Sequence, residues 1–242
     1  MPGDRRAGHA SDPAADRVSA TRVAVVGLAS VAAAVGLGVA ARYAAGSGLI
    51  AFAGPVAEPA SRLGSWVIAL GAPWLAVAWL LGVLSRRTGL GAAAGAFALV
   101  GGTGAWYAFT VWSEGRASLG YAVPVSIGWA AAAAVAGAVF GAGGALWRSG
   151  RGDGARALGA AMLAAPLIGE AVLLETVWDG RAARVVLTVE LLIGLVLPFV
   201  LVRRPPRALL LCVVLTAVLS VVAAGAEDVV RDALRNVGWA GR

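Results

Sequence analysis

An all-α, polytopic transmembrane bundle of about seven helices is the fold class this sequence predicts, on three observations. Apolar runs of about 20 residues recur along the chain, the length that crosses a hydrocarbon core about 30 Å thick. The chain is 60% hydrophobic and only 14% charged, whereas a soluble domain carries about 25% charged residues. The runs are rich in Ala, Leu, Val and Gly and lack period-2 alternation. Lipid offers no water to backbone groups, so helices rather than a closed barrel meet the requirement.

Residues 1–22 are polar and rich in Ala, Asp and Arg, a composition that predicts a disordered tail. The first apolar run, 23–41, exceeds the roughly 7–15 residues of a signal-peptide core and is followed by further spans, so it reads as an uncleaved helix. Spans are expected near 23–45, 64–84, 89–112, 120–147, 155–177, 183–202 and 208–225, a bundle unit over 23–225. The segment 46–63 is too short and too broken by Gly and Pro to cross, and predicts an interfacial or re-entrant piece. In the tail 226–242, Val229, Val230, Ala233, Leu234 and Val237 recur with a helical period. This predicts an amphipathic extension of the seventh helix along the interface.

Arginine placement sets the expected orientation. The connections on one face carry Arg86, Arg87, Arg148, Arg151, Arg156, Arg203, Arg204 and Arg207; those on the other carry Arg42, Arg62, Arg116, Arg181 and Arg184. The richer face, with the N-terminus, is expected in the cytoplasm of a bacterial cell membrane. Trp66, Trp112 and Trp178 fall at outer span ends and Trp147 at an inner end, where amphipathic rings favour the headgroup zone.

Composition narrows the function classes. All 20 basic residues are Arg, and their place at the ends of apolar runs argues against a nucleic-acid partner. The single cysteine, Cys212, allows no intrachain disulfide, and the lone histidine, His9, lies in the polar tail. Zinc sites need three or four clustered ligands, so no metal and no cofactor is expected. Without lysine there is neither a phosphate-binding G-x-x-x-x-G-K-[ST] loop nor a retinal Schiff base. No G-x-S-x-G or H-E-x-x-H occurs, and Ser47 in AGSG has no intramembrane histidine to activate it. The chain is not expected to be an enzyme.

Packing signals are strong. Ala133, Gly137, Gly141 and Ala145 stand at four-residue spacing in the fourth span, and Gly91 and Gly95 repeat the spacing in the third. Small residues on one stripe let a neighbouring backbone approach closely, chiefly within the bundle, with a homo-oligomer or partner membrane protein as the alternative. Pro73, Pro124, Pro166 and Pro198 lie inside spans, and each is expected to kink its helix. Pro166, one turn before Glu170, would re-aim that side chain.

Three carboxylates interrupt the greasy runs: Glu170, Glu175 and Glu190. Spans five and six form a hairpin about Asp179 and Gly180, with Glu170 ten residues before Gly180 and Glu190 ten after. Both acids are thus expected at one depth, on the order of 10 Å below the outer surface. Glu175 lies nearer water. An ionised side chain costs roughly 2.5–3.5 kcal/mol at the bilayer centre, so Glu170 and Glu190 should face the bundle interior. A salt bridge to Arg42, which fixes helix register, is the first expectation. A site for a cation or a shared proton is the second, and an acid left protonated and inert the third. Trp74, Trp106 and Trp129 occupy the same outer half; aromatic faces beside a carboxylate suit an organic cation, though core packing explains each ring singly.

The stretches WLAVAWLLGVLSRR and WAAAAAVAGAVFGAGGALWR, with the Gly169–Glu170 pair, cover roughly residues 66–175. In these the chain resembles an uncharacterised family of multi-pass membrane proteins of GC-rich bacteria, a domain of unknown function. The resemblance implies a class and no mechanism. A structural, interaction or regulatory membrane protein is the leading expectation. The alternative is a transport component that binds a small, possibly cationic, solute in an outward-facing cavity lined by Glu and Trp. Substrate-binding subunits of energy-coupling vitamin transporters are similar in size and Gly/Ala richness, but usually have six spans.

Overall fold

Long Ala/Gly/Leu runs with few helix-breaking interruptions become long helices in the computed structural model, which describes residues 20–45, 71–114, 119–149, 152–175, 181–203 and 205–236. The helices are α1 (Ala20–Ala45), α2 (Ala72–Ser85), α3 (Thr88–Glu114), α4 (Leu119–Ser149), α5 (Asp153–Glu175), α6 (Arg181–Leu201) and α7 (Pro206–Asn236). No strand occurs among the described residues. All but α2 are long and apolar enough to cross a membrane, and the chain is a multi-pass helical membrane protein. Of the expected tail 1–22, residues 20–22 begin α1, while residues 1–19 and the segment 46–63 lie outside the described residues, as do the side chains of Arg42, Trp66, Trp112 and Trp178.

Helix α2 corrects the expected second span. It has 14 residues, about 21 Å at 1.5 Å each, and begins at Ala72 rather than near 64. Its proline is therefore no kink. Pro73 stands in the first turn, where a missing N–H is an orphan in any case. Pro124, Pro166 and Pro198 do lie inside α4, α5 and α6. At its other end α2 stops abruptly: Arg86 adopts φ 55° and donates its N–H to the Gly82 carbonyl, and the Ser85 hydroxyl bonds the same carbonyl at 2.7 Å. This cap turns the chain directly into α3.

Glycine decides how α2, α3 and α4 meet. A Cβ on Gly141 would lie 2.0 Å from the Gly91 carbonyl oxygen, and one on Gly137 would lie 2.4 Å from that of Gly95. From the other side, a Cβ on Gly82 would lie 1.9 Å from the Gly141 oxygen. The stripe on α4 thus serves two neighbours, α3 through Gly137 and Gly141 and α2 through Gly141, Gly144 and the buried Ala145. Such backbone contact is the packing that lipid permits, since apolar side chains gain nothing by leaving it. Ala133, at the head of the stripe, is half-buried.

Helix α5 is the most enclosed span, with 61% of its apolar window buried against 11–33% in the other five. Ala157, Ala160, Ala161, Ala164 and Ala165 leave it slim enough to be surrounded. Helix α7 runs along it through Ala208 and Cys212 and presses Ser220 against Gly169. Helix α6 packs antiparallel on another side, where Val186 and Leu187 meet Ala171 and Leu174. Its other faces expose Val189, Leu192, Val196 and Phe199, a surface suited to acyl chains.

One aromatic expectation changes. Trp147 stacks at 5.1 Å, tilted by 43°, on Trp79 instead of reaching only for the headgroup zone. Trp79 is 3% exposed and donates its indole N–H to the Gly159 carbonyl at 2.7 Å. A buried indole needs such a partner, and Gly159 lets α5 approach the Gly143 carbonyl and the Trp147 backbone closely.

Candidate functional site

Helix α2 begins where an exposed Gly71 meets a buried Ala72, and a helix start leaves up to four backbone N–H groups without intrahelical acceptors. Gly71, at the N-cap, has no side chain to offer. The acceptor comes from 99 residues away. Glu170 of α5 takes a hydrogen bond from the Gly71 N–H at 2.6 Å on Oε1 and from the Ala72 N–H at 2.7 Å on Oε2. Both oxygens of a side chain only 2% exposed are thus engaged. The positive end of the α2 dipole faces the carboxylate, in the geometry by which helix starts hold anions.

Two more acids surround this contact. Glu190 belongs to the stripe of α6 that faces the protein, with Val186, Leu187, Gly194 and Pro198. It is 4% exposed, and neither carboxylate oxygen has a hydrogen-bond partner among the described residues. Gly194, one turn below it, packs on Ala164, Leu167 and Ile168, which brings Glu190 level with Glu170. Glu170 and Glu227 both lie within electrostatic reach of it. Glu227, on α7, pairs with Arg231 at 2.6 Å, and both also act electrostatically on Glu170.

The structure therefore brings Glu170 and Glu190 together inside the protein, and neither faces lipid. Glu175 is exposed at the end of α5. The expected partner Arg42 has its side chain outside the described residues, and the two α2 amides hold the Glu170 oxygens. Trp74 stands in the first turn of α2, right after the amides that Glu170 binds, and its ring abuts Gly102 of α3. Trp106 and Trp129 are half-buried on α3 and α4, so the three rings come from three helices.

Sequence reasoning missed three parts of this site. The amides of Gly71 and Ala72 carry no residue-type signal, because any residue but proline has one. Glu227 and Arg231 were legible in principle. With Leu234 they occupy one helical face at spacings of four and three, and Arg231 and Leu234 are buried. The apolar Val229, by contrast, is 69% exposed. The polar side of this extension faces the protein, and α7 carries it without a break from Pro206 to Asn236.

No curated protein and no solved structure matches the chain. A family profile does, over a wider stretch than the motifs between residues 66 and 175, and it takes in every helix described above apart from the last few residues of α7. With residues 17–232 matched, the chain belongs to the Family of unknown function (DUF6518).

Proposed function

We propose that this chain is a non-catalytic multi-pass protein of a bacterial cytoplasmic membrane, acting through structure, interaction or regulation within the bilayer. The observation that supports this reading is the state of Glu170: both oxygens are committed to the start of α2. A carboxylate so engaged fastens one helix to another and is not open to a substrate. The lipid-like outer faces of α6 and α7 leave room for a second copy or another membrane protein.

Transport of a small cationic solute is the second reading, favoured by Glu190, whose carboxylate oxygens have no hydrogen-bond partner among the described residues and which lies within electrostatic reach of two further acids. Intrinsic tryptophan fluorescence of the purified protein separates the two. Titration with small organic cations is expected to give no saturable quenching. Saturable quenching that Glu190→Gln abolishes would favour transport and sink the non-transport reading.

In the proposed orientation the turn at Arg86 and Arg87 faces the cytoplasm with the N-terminus, and the C-terminus lies outside. Reporter domains fused to each terminus are expected to report opposite sides. A C-terminal reporter active only in the cytoplasm would mean that the chain crosses an even number of times, with α2 the first helix to question.

A further inference from the structure

Glu190 is an acid in a place that cannot compensate its charge. It is 4% exposed, its oxygens have no hydrogen-bond partner among the described residues, and it sits mid-way along an apolar helix packed on α5. From α5 it faces Glu170, which already accepts two hydrogen bonds from α2; Glu175 on that helix is exposed. From α7 it faces Glu227, which is engaged by Arg231. Asp228 and Asp232 on α7 are exposed, as is Arg184 on its own helix. The acids that reach it therefore repel a carboxylate there, and removing an ion from water costs several kcal/mol without a paired partner.

We propose that Glu190 is a proton-binding site, whose carboxyl takes one proton from water and thereby lets an acid with no hydrogen-bond partner among the described residues lie buried level with Glu170. Glu170, by contrast, has two amide donors and the start of a helix dipole against its oxygens. The step balances as carboxylate plus proton giving carboxylic acid, with no other reactant. A metal ion is the poorer ligand, since among the described residues no three of His, Cys, Asp or Glu converge as a metal would require. The site also has a consequence for α2. Losing the proton would put a second negative charge beside Glu170 and disturb the contact that starts that helix. None of this depends on whether the protein interacts, regulates or transports.

The test uses the full chain in lipid nanodiscs. Infrared spectra at neutral pH are expected to show a protonated-carboxyl stretching band that moves on transfer to heavy water. Glu190→Gln should remove that band, and Glu170→Gln should leave it. Gln is isosteric with the neutral acid, so the variant should fold. No protonated-carboxyl band in the unaltered protein, or a band that survives Glu190→Gln undiminished, would overturn the proposal. A band that never responds to heavy water would overturn it too, because a proton that cannot exchange is not bound from water.

Discussion

Gly141→Leu is expected to prevent the α2–α3–α4 unit from assembling, and Gly137→Leu to do nearly the same. The reason is contact with backbone, which cannot rotate away. Any Cβ on Gly141 would meet the Gly91 oxygen at 2.0 Å, and the Gly82 position approaches the Gly141 oxygen just as closely. Even Gly141→Ala must push two helices apart, at a cost of about 1–3 kcal/mol for overpacking a tight core. Leucine adds three carbons to that. The control is Gly104 on α3, where a Cβ meets nothing within 4 Å. Gly104→Ala should leave stability unchanged or raise it by up to about 1 kcal/mol through helix propensity. Thermal melts in detergent decide the matter. Leucine variants at 137 and 141 that melt like the parent would show that α4 does not pack through this stripe.

Glu170→Gln is the second large effect. Gln keeps the shape and one acceptor oxygen, but its amide nitrogen then faces a second backbone donor. Hydrogen bonds to a charged group contribute about 1.5–3 kcal/mol each, and the variant loses the charge from two. It also takes the acceptor from one of the two amides, of which that of Ala72 is buried. A loss of about 2–4 kcal/mol in unfolding free energy follows. The loss should be localised. Hydrogen exchange should accelerate in the first turn of α2, where the Trp74 and Leu75 amides bond the Gly71 carbonyl, and change little at the α2–α3 turn. Arg42→Gln should not restore the lost stability, because the Gly71 and Ala72 amides hold the Glu170 oxygens. Rescue by Arg42→Gln would return the salt bridge to first place.

Both effects show where sequence reading was strong and where it was blind. The glycine stripe was legible because spacing along one helix is a local property, and small residues at that interval mark a close helix contact. Its partners were half legible: Gly91 and Gly95 carry the same spacing, whereas Gly82 stands alone in its helix and gives no pattern. The depth of Glu170 and Glu190 was legible from the hairpin, because residues equidistant from a tight turn lie level. Their chemistry was not. A backbone amide 99 residues away is invisible to residue type, and α2 looked like a full span because its run of apolar residues does not mark the point where the helix begins. The kink expected at Pro73 failed for the same reason, since a proline means one thing inside a helix and another in its first turn.

By itself, the sequence determined that this chain lives in a membrane, where its helices run and that its buried acids must face protein. Those properties follow from transfer free energies and helical periodicity, which each segment carries alone. Only the tertiary structure decided that α5 is the enclosed helix, that a carboxylate on it starts α2, and that Glu227 and Arg231 turn inward from α7 to join it. These depend on which helices are neighbours. In lipid that choice is made by close backbone fit and by the need of every buried polar group for a partner, neither of which one segment can specify without the others.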